Sequence, residues 1–438
     1  MINISYFMLK HSKLKILVII ILLLQRNSSV AKESKLNLTE CLKLALKNCK
    51  AIEASLYKLN QAKMDVLLIK SKKMPKVYLG SYAGIAQFEG SFPVSNTFLL
   101  PNDQYSSRFL IYGEGGVYVD WLLYDSKKSF YEMQGKKINT EIAQNNVKQL
   151  QTETVYQTAI LYCSANCSKE IIKLRDEQIH KLENTKKYLK NYYNAGIIDK
   201  SKLEKIDIQY FTIEDELLSE QLKYYQNIEK LKLILNIERN ENIELQKINE
   251  LQFELGDNLA GPDMNLVQSE LAVRANKIIL EQAKRHNSMQ IMMETYFRYS
   301  IGYSWVVGIG LRWPLWDSGE KKALTELANS RYLASKLEFQ ILQQQVEQSK
   351  KINFERMKLL RKRLQKFTSL IDSLTMEISY SFESPDTPIE EIILFLNKKI
   401  NILSMKIQRI ERIKEYQIAY LNILLESGKI MELMKYED

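Results

Sequence analysis

The side chains best suited to chemistry in this 438-residue chain are carboxylates rather than nucleophiles. Glu383, Asp386, Glu390 and Glu391 crowd around Pro385 and Pro388. Repeated about a symmetry axis, any of them that faces the axis becomes a ring of carboxylates, which attracts cations and repels anions. Asp386 is the first choice, because the two prolines hold it in a turn. Taken singly, the same residues are also what a solvated helix N-terminus favours.

Patterns for covalent or metal chemistry are missing. Gly113-Glu114-Gly115-Gly116 runs into a strand-like stretch instead of a helix, so it is not a phosphate-binding turn. His180 and His286 lack the neighbours of a catalytic or metal site, and neither sits near a cysteine in sequence. Cys163 and Cys167 stand one helical turn apart, with Cβ atoms roughly 6 Å from each other, which permits a disulfide without specifying one. Together with Cys41 and Cys49 they read as small buried hydrophobes. No enzyme is expected, no catalytic or metal residue is assigned, and no cofactor is implied.

The elements that must position the carboxylates are announced by a repeated stretch. Leu311-Arg312-Trp313-Pro314-Leu315-Trp316-Asp317-Ser318-Gly319 has an earlier twin in Trp121-Leu122-Leu123-Tyr124-Asp125-Ser126. Upstream, Trp305, Val307, Ile309, Leu311, Trp313 and Leu315 share one parity, with Gly308, Gly310 and Arg312 on the other, the period of a two-faced strand. Downstream, Asp317 and Ser318, like Asp125 and Ser126, suit the N-cap of a helix. Each copy therefore reads as a strand handing over to a capped helix.

In chain order, a helical pattern over Cys41 to Lys73 stops at Pro75. A strand through Val77 to Ile85, a loop over Phe88 to Ser107 and a second strand over Phe109 to Tyr124 follow. Lys127 to Asn194 contains no proline, and as one helix it would be roughly 100 Å long. It ends at Tyr193-Asn194-Ala195-Gly196, where glycine suits a left-handed cap. Ser201 opens a return helix to Asn236, and Ile237 to Gly261 reads as a connector.

Pro262-Asp263 begins the order again: helix to His286, strands over Ile291 to Tyr299 and Ser304 to Leu315, and a helix over Lys321 to Ser379. A break at Ser381 to Pro388 and a return helix over Ile389 to Leu425 complete it. All seven prolines fall outside the long helices. The organisation expected is a signal segment over 1–31 followed by two repeats, 32–261 and 262–438.

The signal is read from Lys10, Lys13 and Lys15 ahead of the apolar run Ile16 to Leu24 and the small residues of Ser29-Val30-Ala31. Its removal lowers the formal charge from +10 to +6. Lysine is interleaved with glutamate along the helices, so no basic face for nucleic acid is expected. No apolar run beyond the signal reaches the 18 or so residues of a spanning helix, so a membrane crossing would need strands closed into a barrel. All four tryptophans lie in or beside strands, where interfacial aromatic girdles belong. Four strands are too few to close alone, but three protomers would supply twelve, an allowed number for an outer-membrane barrel with cyclic symmetry. Val307, Ile309 and Leu311 would then face lipid, and Gly308, Gly310 and Arg312 the lumen.

At this point the sequence resembles the TolC-type outer-membrane efflux proteins over nearly the whole chain that follows the signal. The resemblance is carried by Leu-Thr-Glu-Cys-Leu-Lys-Leu-Ala-Leu-Lys-Asn at 38–48, the two junctions, and Tyr193-Asn194-Ala195-Gly196-Ile197-Ile198-Asp199-Lys200-Ser201. It implies a mixed, mainly α fold. Long antiparallel helices would form a periplasmic α-barrel, and four strands per protomer would complete a trimeric twelve-stranded transmembrane β-barrel. It further implies a passive exit duct in the outer membrane, serving a tripartite efflux or type I secretion system. A periplasmic adaptor (membrane fusion protein) would dock at the tips, Tyr193, Ala195, Gly196, Ile197, Asp199 and Ser201 among them, and an inner-membrane pump of the RND or ABC type would drive export. The second tip, Ser381 to Pro388, lacks the glycine pattern of the first. A periplasmic coiled-coil scaffold or adaptor without a pore is the competing reading, and it leaves the tryptophan-rich strands unexplained.

Overall fold

The computed structural model describes residues 34–88, 108–238, 241–247, 261, 263–299, 303–379 and 389–435. The expected signal segment lies outside the described residues. In order come β1 (Ser34–Leu36), α1 (Leu38–Asn48), α2 (Lys50–Lys72), β2 (Lys76–Phe88), β3 (Arg108–Tyr124), α3 (Lys128–Asn194) and α4 (Lys200–Leu235). After them follow β4 (Ile243–Leu245), α5 (Met264–Ala283), β5 (Gln290–Tyr299), β6 (Tyr303–Arg312), α6 (Glu320–Ser379), α7 (Ile389–Glu426) and a 3-10 turn at Ile430–Lys435. Among the described residues no helix is long and apolar enough to cross a membrane. The chain forms two compact units, one drawn from 1–53, 149–264 and 345–438, the other from 54–148 and 265–344. Each takes segments from both proposed repeats.

The first unit is a helical bundle. Asn37 and Glu40 start α1 with a reciprocal capping box: Asn37 Oδ1 accepts from the Glu40 N–H at 2.7 Å and Glu40 Oε2 from the Asn37 N–H at 3.0 Å. The single helix expected from Cys41 to Lys73 is instead broken at Cys49, which is extended (ψ 106°). Beside the break the Asn48 side-chain amide donates through Nδ2 to the Leu235 carbonyl at 2.9 Å, a tertiary bond that no local pattern specifies.

The connector expected over Ile237 to Gly261 contains β4, which pairs in parallel with β1, Ser34 opposite Ile243 and Leu36 opposite Leu245. Three residues are too few to show a period. Tyr162 closes this small sheet, its hydroxyl lying 3.0 Å from the Leu36 carbonyl and 2.9 Å from that of Gln246.

Around the middle of α3, Tyr162 apart, many of the buried side chains are small: Ala159, Cys163, Ser164, Ala165, Cys167 and Ser168. Small residues at a contact let helix axes approach, and here Leu42, Leu421 and Leu424 pack on one side and Cys41, Leu231 and Leu235 on another. All four cysteines are free thiols, and three are buried. Burial pushes the Cys41 thiol up to about 12 and raises that of Cys163 as well, so neither is a nucleophile near neutral pH.

The second unit holds a four-stranded antiparallel sheet of order β2-β3-β5-β6. Helical segments of the same unit are tied by Lys136 to Asp65 at 2.7 Å, Asn145 to Gln268 at 2.8 Å and Arg274 to Glu141 at 3.2 Å. The fourth strand, expected to reach Leu315, ends at Arg312. Its partner begins at Gln290, opposite Arg312, so later residues have no ladder to join, and Pro314 has no N–H to give.

Candidate functional site

Residues opposite one another in an antiparallel ladder project from the same face. The register therefore reads straight across the sheet: Leu79, Val117, Phe297 and Trp305 form one row, and Val77, Val119, Thr295 and Val307 the next. Trp121, Met293 and Ile309, then Tyr124, Ile291 and Leu311, extend the same face. That face is apolar across all four strands and is not covered: Leu79 is 83% exposed, Trp305 73% and Ile309 73%. Val307, Ile309 and Leu311 lie on it, whereas Gly308, Gly310 and Arg312 belong to the opposite face. β2 and β6 are its edges, and neither outer edge carries a further strand among the described residues.

The opposite face is polar and aromatic. Tyr78, Tyr118 and Tyr296 form a cross-strand row with ring centroids 5.4 and 6.1 Å apart. Beside it runs Lys76, Asp120 and Glu294, and on its other side Gly80, Gly116 and Arg298. Tyr78 donates to Asp120 Oδ2 at 3.2 Å. Arg298 stacks on Tyr296, 4.9 Å from its centroid, and donates to Ser304 Oγ at 3.2 Å. Gly116 makes this packing feasible, since a Cβ there would run into the Phe297 carbonyl and the Arg298 Cα. The tyrosine row went unread in the sequence: its members share the polar parity of their strands, but only the pairing of β3 with β5 aligns them.

The two junctions share one backbone. Ser126 and Lys127 (φ 51° and 68°) and Ser318 and Gly319 (φ 51° and 88°) are consecutive left-handed residues, each pair following an aspartate. Asp125 Oδ2 accepts from the Ser129 N–H at 2.6 Å and from its hydroxyl, and Asp317 Oδ2 accepts from the Lys321 N–H at 3.2 Å. The aspartates therefore cap the helices. The serines do other work, Ser126 donating to the Met289 carbonyl at 3.0 Å and Ser318 Oγ accepting from the Trp316 indole at 2.9 Å. Asn287 bonds Asp317 at 3.0 Å and, with the backbone N–H groups of Gly319 and Lys321, holds its carboxyl below the ordinary aspartate value. Trp121 donates to the Lys73 carbonyl at 3.0 Å. Trp313 and Trp316 stand exposed on either side of Pro314 and Leu315.

At the first tip, Gly196 adopts φ +72°, with Gly196 N–H bonded to the Tyr193 carbonyl and Ile197 N–H to that of Tyr192, both at 2.9 Å. This double closure ends α3 and turns the chain. Ile198 tucks under it beside Leu182, Leu189, Ile206 and Ile213. Tyr193, Ala195, Gly196, Ile197, Asp199 and Ser201 are all exposed. Asp199 sits at the N-cap of α4 without a side-chain capping bond, so its carboxylate is not consumed locally. Of the four carboxylates beyond α6, Glu383 and Asp386 lie outside the described residues. Glu390 and Glu391 fall in the first turn of α7, Glu391 exposed.

No family model matches the sequence, and no curated protein matches it either. Its three-dimensional arrangement is another matter. The outer-membrane channel OprN superposes with a TM-score of 0.76 at 12% identity, covering 90% of each chain. The outer-membrane protein VceC from Vibrio cholerae gives 0.73 at 12% identity, over 89% of this chain and 96% of that one. The Campylobacter jejuni CmeC outer-membrane channel gives 0.70 at 11% identity, over 90% and 85%. The chain has the TolC-type outer-membrane channel fold. Coverage at both ends of the comparison means that the TolC-type likeness extends over the sheet and the long helices together, and at such low identity it is a likeness of fold.

Proposed function

We propose that the protein is the outer-membrane exit duct of a tripartite efflux or type I secretion system, a passive conduit with no catalytic step. The observation that carries this is the sheet: an uncovered apolar face spanning four strands, with no further strand on either edge among the described residues. A water-soluble monomer rarely leaves such a surface bare, and an open edge invites further pairing. Lipid satisfies the face and neighbouring protomers the edges, so a homotrimer would close twelve strands in the outer membrane. The helices point the same way, because Ile208, Phe211, Leu218, Leu222 and Tyr225 line up exposed on α4, and Leu333, Leu337 and Ile341 on α6.

In this reading the two proposed repeats, 32–261 and 262–438 behind a signal at 1–31, each contribute one hairpin. The exposed first tip receives a periplasmic adaptor, and an inner-membrane pump of the RND or ABC type supplies the energy. Glu383, Asp386, Glu390 and Glu391 are proposed to ring the periplasmic mouth. Membrane fractionation with crosslinking tests the core of the proposal: a trimer in the outer-membrane fraction is expected, and a soluble periplasmic monomer overturns it. The mouth is tested by single-channel recording in asymmetric salt. Asp386→Asn with Glu383→Gln should shift the reversal potential, and unchanged selectivity and conductance remove the ring.

A further inference from the structure

We propose that a cavity at the foot of the first hairpin binds an anionic glycerophospholipid from the leaflet nearest the helices. This rests on the outer-membrane reading above. The cavity, of about 360 Å³, is lined by Lys73, Leu123, Tyr124, Lys127, Phe130 and Tyr131 among others. Its chemistry is amphipathic. Leu123, Tyr124 and Phe130 are each exposed by two-fifths or more, although they are large apolar groups. Leu123 is the residue that interrupts the β3–β5 register, and the bulge leaves it outside the ladder. Trp121 and Tyr124 stand in rows of the uncovered apolar face, so the cavity opens where that face ends and the helices begin. That is the depth of a headgroup.

The charges at this depth sort by availability. Lys72 is paired with Glu132 at 2.9 Å. Arg285 stacks on Tyr131, 4.3 Å from its centroid, but is already bonded to Glu281 at 3.0 Å. Asp125 also lines the cavity, yet its Oδ2 is taken by Ser129, and it occupies the start of α3 that a phosphate would otherwise seek. The two lysines that line the cavity, Lys73 and Lys127, are exposed and have no carboxylate in ion-pair distance among the described residues. The Trp121 indole bonded to the Lys73 carbonyl fixes this lysine's backbone against the sheet. Two ammonium groups above an apolar wall match a phosphodiester with a neutral or acidic headgroup on two acyl chains. A zwitterionic headgroup brings its own ammonium and fits less well.

The test uses the full chain purified as the trimer in neutral detergent, with retained lipid counted by native mass spectrometry. Phosphatidylglycerol and phosphatidylethanolamine of identical acyl chains are the probes. The wild type should retain phosphatidylglycerol in preference. Lys73→Gln with Lys127→Gln should weaken that retention roughly 30-fold, Lys73→Arg with Lys127→Arg should keep it, and Lys187→Gln with Lys190→Gln near the end of α3 should leave it unchanged. Equal retention of the two lipids by the wild type, or wild-type retention by the double glutamine variant, overturns the inference. If the glutamine variant does not assemble, salt titration of the wild type decides, because the preference must collapse as ionic strength rises, and its persistence overturns the inference. Failure of the exit-duct reading would show earlier and differently, as absence of a membrane trimer.

Discussion

In the first hairpin-to-helix junction the left-handed pair is Ser126 and Lys127, the capping aspartate is buried, and the nearest indole is tied to the end of α2. In the second, the pair is Ser318 and Gly319, the aspartate is only half-buried with Asn287 as its partner, and Trp313 and Trp316 are exposed. The hairpins differ in the same sense. β3 is a central strand with Gly116 pressed against β5, while β6 is an edge whose Gly308 and Gly310 have room for a side chain. One local design has thus been set into a packed environment and an open one. The backbone turn belongs to the chain, and the cost of changing it belongs to the surroundings.

The sharpest way to break this comparison is to put charge on the two faces of β6. On the exit-duct proposal, Ile309→Arg should destabilise the membrane-inserted form by ~2–4 kcal/mol, and Gly310→Arg on the polar face by much less. Assembled trimer recovered from outer membranes measures it, and the reverse order would mean that the lipid-facing side has been misassigned. Next in size, Gly116→Ala should cost about 1–3 kcal/mol through overpacking, whereas Gly310→Ala, with open space, should stay within about 0.5 kcal/mol. Equal losses would erase the distinction between central and edge strand.

The caps should separate as well. Asp125→Ala removes a buried carboxylate from two donors of Ser129 and should lower stability by about 2 kcal/mol, read as a shift in denaturant midpoint. Asp317→Ala should shift the midpoint less, because its carboxyl is only half-buried and solvent can replace part of what is lost. Smaller still, Lys127→Gly should stabilise by about 0.5–1 kcal/mol, since glycine carries no penalty at positive φ. Gly319→Ala should act in the opposite direction.

The smallest effect is a pH dependence confined to the second junction. The Asp317 carboxyl is held below its ordinary value, first by Asn287 and then by backbone N–H groups. Its contribution is therefore complete above the unfolded value and is lost only as pH falls through the lower folded one. Asp317→Asn should flatten that acid limb of the stability profile and leave the neutral region unchanged. An acid limb identical to wild type would show that the carboxylate is not linked to folding.

Much of this architecture is legible in the sequence, and for identifiable reasons. Helix boundaries follow prolines and Gly196 because a missing N–H or a left-handed φ is a property of one residue. The faces of β5 and β6 follow parity because a strand alternates whatever it pairs with. The junction aspartates are visible because a cap acts over four residues. Where the sequence misleads, the missing information is long-range. The ending of β6 at Arg312 depends on where β5 begins, and the break at Cys49 accompanies a bond to Leu235.

Local chain chemistry thus determined the order of elements, the apolar and polar sides of each strand, and the aspartates that start the long helices. Only the tertiary structure decided that β3 lies beside β5, that Tyr78, Tyr118 and Tyr296 share a row, and that β1 pairs with β4. It also decided which serine serves which carbonyl or indole, and that Leu123 bulges above a basic cavity. The division is physical. Capping, handedness and alternation are settled within a few residues, whereas register is a choice among many pairings of similar local energy, made by side chains that meet only once the chain has folded.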